Sequence, residues 1–202
     1  MARQAGPHCE GMQVNWIRRQ LITLAIAGSW LAIATPPCTA QSARASETEV
    51  EAAYLYNFGK FVSWPPEQAS GAFAICVLGK DPFGEILDST VAGESINARK
   101  VVIERIASVR EAAACQVLFV SDHEEEHLKA ILSSVKTAGV LTVSDIPHFA
   151  DRGGMIELVE QGGRIRFEVN LTAAQESRLS LSSELLKVAV RVIGKPGTGG
   201  RR

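Results

Sequence analysis

Apolar positions along the chain fall into short runs separated by turn residues, and their spacing switches between helical and extended several times. From Ser46, a suitable N-cap, the residues Val50, Ala53, Tyr54, Phe58, Phe61 and Val62 recur at helical spacing until Trp64, Pro65 and Pro66 stop them. The unbroken run Phe73–Leu78 predicts a buried strand, followed by the turn Gly79-Lys80-Asp81-Pro82 and a short helix near residues 83–89. β-branched Val101, Val102 and Ile103 mark a second strand at about residues 99–105. A helical turn near 109–114, a strand at 116–120 and a helix from about 122 to 137 come next. After Gly139, residues 140–143 predict another strand and residues 145–152 a loop containing Pro147. Residues 155–159 and 164–169 alternate on either side of Glu160-Gln161-Gly162-Gly163, the pattern of an antiparallel hairpin. Residues 171–179 and 183–192 carry the remaining helical periodicity, and the Gly-rich basic stretch 194–202 is an expected disordered tail. Strand and helix alternate, which predicts an α/β fold: a mostly parallel sheet flanked by helices, with a C-terminal antiparallel hairpin.

The amino terminus reads as an address rather than as part of that fold. Arg18 and Arg19 precede an apolar run at residues 21–34, ended by Thr35, Pro36 and Pro37. Those 14 residues are short of the roughly 20 a membrane-spanning helix needs. Small-x-small sites follow at Cys38-Thr39-Ala40 and Ala43-Arg44-Ala45, and cleavage after Ala45 is expected; the long stretch ahead of Met12 makes Met12 an alternative start. A lipid-modified Cys38 is a competing reading, against which Pro36 and Pro37 directly before it count. The expected organisation is a signal peptide over residues 1–45, an α/β domain over 46–193 and the tail 194–202. The mature protein is then expected in an oxidising compartment outside the cytoplasm.

Composition narrows the classes further. The 202 residues are 46% hydrophobic and 21% charged, which excludes an intrinsically disordered chain. Basic and acidic residues nearly balance at 21 and 22. Loss of residues 1–45, which hold Arg3, Arg18, Arg19, Arg44 and Glu10, leaves 17 basic and 21 acidic residues in 157, a net charge of −4. No basic stripe is available to neutralise phosphates, so nucleic acid is not an expected partner. Of four cysteines, Cys9 and Cys38 leave with the signal and Cys76 and Cys115 remain. An even pair in an exported protein suggests a disulfide, with two buried free thiols as the alternative.

Three stretches invite chemistry. His123-Glu124-Glu125-Glu126-His127 satisfies the H-E-x-x-H spacing that places two imidazoles on one α-helical face for zinc, with a glutamate as base. The same stretch also fits a solvated helix start, where acids complement the helix dipole, and no third ligand follows at a familiar offset, so His123 and His127 are weak metal candidates. Gly79, Lys80 and Asp81 lie between a strand and a helix, where backbone approaches a ligand closely, yet without a phosphate-loop or dinucleotide spacing. Arg164 and Arg166 alternate with Ile165 and Phe167, giving the last hairpin strand a cationic face. No nucleophile elbow or other activated nucleophile is present in the pattern, so no catalytic residue and no cofactor are expected.

Several ordered segments together resemble one family, the YfiR (HmsC-like) periplasmic proteins: VEAAYLYNFGKFVSWP at 50–65, ICVLGKDPFG at 75–84, CQVLFVS at 115–121, VLTVSD at 140–145, GGMIEL at 153–158, IRFEVNL at 165–171 and SSELLKVAVRV at 182–192. The resemblance spans about residues 47–192. It implies a non-enzymatic repressor that docks on the periplasmic domain of an inner-membrane diguanylate cyclase and lowers cyclic di-GMP and biofilm formation. Cys76 and Cys115 match the family's structural disulfide; this chain lacks the second disulfide that some relatives carry near Gly153-Gly154. A homodimer and an unidentified small ligand are further implied. Two rival readings remain: a small-ligand domain feeding a sensor kinase, with its cleft near Gly79 and Asp81, and a zinc hydrolase using His123, Glu124 and His127.

Overall fold

The computed structural model describes residues 39–68 and 70–194, with the side chains of 39–46 and Glu67 outside that description. Residues 1–38 of the expected leader 1–45, including Cys9 and Cys38, and the tail from residue 195 lie outside the described residues. All described residues belong to the compact unit Pro37–Arg202. Among them, no helix is long and apolar enough to cross a membrane.

Helix α1 runs from Thr39 to Phe61, seven residues ahead of the N-terminus expected at Ser46. Residues 39–45 contain Ala40, Ala43 and Ala45 and neither Gly nor Pro, so nothing in the local sequence stops the helix before the prolines. Its inner face, Ala52, Leu55, Phe58 and Gly59, is buried. A Cβ on Gly59 would stand 2.5 Å from Ile96 Cδ1 and 3.0 Å from the Phe73 ring, so the absent side chain is what lets the helix seat on the sheet. The ring of Trp64, just past the helix, packs edge-on against Phe73, and its Nε1 donates to the Gln116 carbonyl at 3.2 Å.

The strands are β1 (Val62–Ser63), β2 (Phe73–Leu78), β3 (Ser95–Ile96), β4 (Arg99–Ile106), β5 (Val117–Val120), β6 (Leu141–Ser144), β7 (Ile156–Glu160), β8 (Ile165–Asn170), β9 (Ser180–Leu181) and β10 (Arg191–Ile193). Among the described residues, eight of them form one sheet in the order β10-β8-β7-β6-β5-β2-β4-β3. Pairings β4-β2-β5-β6-β7 and β8-β10 are parallel, whereas β7-β8 and β3-β4 are antiparallel. β1 and β9 pair separately as a two-stranded ribbon. The fold is therefore the expected α/β class, with the hairpin β7-β8 near its C-terminal edge.

Alternation along the strands sorts the core into two layers. Phe73, Ile75, Val77, Phe119, Phe167 and Val169 face α1, α2 (Glu85–Val91), α4 (Leu171–Glu176) and α5 (Ser183–Val188). Cys76, Leu78, Leu118 and Val120 face α3 (Leu128–Val135) and the 3-10 turn Val109–Ala114. Cys76 and Cys115 are joined as a disulfide, Cα to Cα 5.9 Å, on this second face. It ties the 3-10 crossover to central strand β2. Buried Glu157 on the same face accepts from the His148 and Ala150 amides at 2.8 and 3.1 Å and so holds the loop 145–153 onto the sheet.

Two helical expectations are corrected. The segment 183–192 is not one helix: α5 ends at Val188, and Arg191–Ile193 adds to the sheet edge beside β8. Val188, Val190 and Val192 satisfy a period of two as well as a loose helical period, and the Val190 amide finds the Phe167 carbonyl at 2.9 Å. The segment 122–137 is likewise composite, a 3-10 turn Asp122–His127 followed by α3.

Candidate functional site

Strand order reverses at β2, since the chain leaves it for β4 on one side and then crosses to β5 on the other. The crevice at the carboxyl ends of β2 and β5 is thus the place where such sheets receive ligands. Gly79 follows β2 and Ser121 follows β5, with the Ser121 amide donating to the Leu78 carbonyl at 3.1 Å. The chain fills this crevice itself. A Cβ on Gly79, whose φ is +88°, would stand 2.9 Å from Glu124 Cγ and 3.3 Å from Ser121 Cβ.

Asp81 is spent on the loop that carries it. One carboxylate oxygen accepts from the Phe83 amide at 2.7 Å and the other from Arg105 Nε at 2.8 Å. Arg105 also donates to both Asp88 oxygens and to the Gly84 carbonyl, which pulls the Asp88 carboxyl below its ordinary range and raises the guanidinium. Lys80 is exposed beside them. The sheet order leaves four strand spacings, about 19 Å, between β2 and β8, so Gly79, Lys80 and Asp81 do not share a site with Arg164 and Arg166.

The H-E-x-x-H spacing loses its meaning in this backbone. It lies in a 3-10 turn of three residues per turn, where positions i and i+4 are about 120° apart rather than on one face. His123 Nδ1 sits 2.6 Å from Asp122 Oδ1, and His127 Nδ1 sits 3.7 Å from Glu124 Oε2, both rings being exposed. The hydrogen bond with His123 pulls the Asp122 carboxyl down. Among the described residues, no group of three or more His, Cys, Asp or Glu is placed to hold a metal ion.

Three depressions stand out among the described residues. A groove of about 430 Å³ opens between α3 and α4, with Thr142, Met155 and Asn170 in its floor and Lys129, Lys136 and Arg152 at its rim. Lys136 is bound to Glu176 at 3.3 Å and Arg152 to Glu125 at 2.7 Å. A second depression, about 360 Å³, brings Arg164 and Arg166 together with Glu47, Val50 and Tyr54 of α1. A third, about 200 Å³, lies between α1 and α5; Phe58, Phe61, Phe167 and Val188 give it an apolar wall, and Asn57 and Glu184 stand at it too. Tyr54 is common to the last two, its hydroxyl donating to the Ile165 carbonyl at 3.3 Å. Inward of them, Tyr54, Phe58 and Phe167 form a ring cluster with centroids 5.1 to 5.6 Å apart.

Large apolar side chains that stay exposed collect on this side: Val50 at 41%, Phe61 at 40%, Val188 at 60%, Val190 at 41% and Val192 at 36%. Sequence reasoning assigned none of them to a surface. Their signal was present, because α1 carries more apolar positions than one buried stripe needs, and the valines after Leu186 alternate. Further along α1, Glu51 is pushed up to about 7 by burial, reinforced by the charges of Asp145 and Glu47.

A profile described as YfiR/HmsC-like matches residues 48–190. Among solved structures, the chain is similar to a conserved domain protein from Vibrio cholerae O1 biovar El Tor, at 12% identity and a TM-score of 0.49, covering 72% of this chain and 60% of that one. It is also similar to an ABC domain in complex with L-Trp from Streptococcus pneumoniae, at 13% identity and a TM-score of 0.45, covering 74% and 60%. The chain thus spans about 60% of the length of either solved protein.

Proposed function

The chain belongs to the YfiR/HmsC-like family, whose members regulate diguanylate cyclases from the periplasm, and from that premise we propose that it represses an inner-membrane diguanylate cyclase by binding the enzyme's periplasmic domain. The observation that carries this reading is the family match across nearly the whole folded domain. An exposed apolar face suits a protein whose task is to hold another protein. Repression follows if the resting conformation of the cyclase is bound more tightly than the active one; moving a two-state equilibrium from 1:99 to 99:1 takes about a 10⁴-fold difference in affinity. Less cyclic di-GMP and less biofilm matrix are the outputs.

Deleting the gene and quantifying cyclic di-GMP tests this directly. The pool is expected to rise and to return to its starting level when the chain is supplied with its export signal. An unchanged pool overturns the reading. One rival, a small-ligand domain feeding a sensor kinase, would use the groove between α3 and α4 in place of the cleft expected near Gly79 and Asp81, which the chain itself fills. That rival predicts the same deletion to change kinase output and leave cyclic di-GMP untouched.

A further inference from the structure

We propose that the outer stripe of α1, together with the α1–α5 groove, is a helix-docking seam, and that its occupant is an amphipathic helix of the repressed cyclase's periplasmic domain bearing an acidic side chain about three turns from its apolar anchor. This rests on the regulatory reading above and adds to it the surface and the chemistry of the contact.

The spacing on α1 carries the argument. Val50, Tyr54, Asn57 and Phe61 recur at intervals of four, three and four, the seam that one helix offers another in knobs-into-holes packing. These four line the two adjoining depressions on this side of the molecule, whereas the inner stripe through Ala52, Leu55 and Gly59 is already consumed by the sheet. At one end the seam deepens into the apolar groove where Phe61 and Val188 stand exposed, the seat for an apolar anchor. At the other end Arg164 and Arg166 line the same depression as Val50, with Glu47 as its one acid; neither arginine has an ion-pair partner among the described residues, so the two cations outnumber the acid there. Val50 and Phe61 are eleven residues apart on one helix, about 16 Å, which fixes where the partner's acid falls relative to its anchor. Asn57 in the middle of the seam asks for a polar residue opposite, which sets register.

The test uses the exported, disulfide-intact chain and the purified periplasmic domain of the diguanylate cyclase whose output rises on deletion. Val188→Asp, at the more exposed position, is expected to weaken binding at least tenfold without lowering the melting temperature, and Phe61→Asp to weaken it at least as much. The double variant Arg164→Glu with Arg166→Glu is expected to weaken it about tenfold and to flatten its salt dependence, and replacing one acid of the partner helix by Arg is expected to restore it. Lys129→Glu with Lys136→Glu, on the α3–α4 groove, is expected to bind as the unaltered chain does. Seam variants that bind normally overturn the proposal while leaving the regulatory reading standing, as does loss of binding confined to the α3–α4 variant. A seam variant that splits a dimer of this chain yet keeps its hold on the cyclase also overturns it, the seam then being a self-association face. Failure of the unaltered chain to bind the domain removes the regulatory reading and this proposal together.

Discussion

Glu51 shows what a single carboxyl does when the fold crowds it. Burial, then the charges of Asp145 and Glu47, push it from 4.5 to about 7, so the folded chain holds a proton there that the unfolded chain has already lost. A group whose folded value is raised in this way costs stability as pH rises from 4.5 through about 7, and the loss is complete above that. Urea midpoints of the unaltered chain and of Glu51→Gln are therefore expected to agree near pH 4.5 and to diverge by pH 8, with the Gln variant the more stable. Parallel curves across that range show that Glu51 does not titrate as described. Asp88, Asp122 and Asp151 act in the opposite sense, because their partners lower them, so both chains lose stability together as pH falls towards those lowered values. None of this was legible in the sequence, nor was the fate of Asp81, whose partner Arg105 lies 24 positions away and meets it only because β2 and β4 are neighbours.

At the scale of elements, legibility followed the strength of the local pattern. β2 is read to the residue because its six apolar positions are buried on both faces and bounded by turns. The β7-β8 hairpin is equally plain, since alternation and Gly162-Gly163 agree. Strands of two residues, β1, β3 and β9, have no period to detect and exist only through their partners. β10 was missed because a valine at every second position also passes for a helix face. What fixes it is tertiary: Arg191 grips both Asp151 oxygens at 2.8 Å and Glu168 at 2.7 Å, pinning a three-residue edge strand by its side chain. Arg191→Ala is expected to speed hydrogen exchange at the Val190 amide and through β10. The change in global stability is expected to be under about 1 kcal/mol, because the ion pairs are solvent-exposed. Unchanged exchange in β10 means that its backbone bonds suffice alone.

For the whole molecule, the Cys76–Cys115 bond matters because it spans 39 positions and closes the loop that contains α2, β3 and β4. On the chain-entropy estimate such a closure is worth about 4 kcal/mol. Cys76→Ser with Cys115→Ser is expected to lower the unfolding free energy by that order in urea titrations, as is reductant added to the unaltered chain. A double variant as stable as the parent shows that packing across the sheet holds the domain without the bond. The pairing was legible from the cysteine count and the two strand-like runs; the face it occupies became clear only when β2 and β5 were found side by side.

The ribbon of β1 with β9 joins Val62 to Leu181, and β10 completes the sheet edge next to β8. A ribosome delivers β1 and β9 more than a hundred positions apart, so a nascent chain keeps Val62–Ser63 unpaired until almost its last segment has emerged. Throughout that interval the polypeptide lacks its closing ribbon, which is the state that the proposed export would require of it.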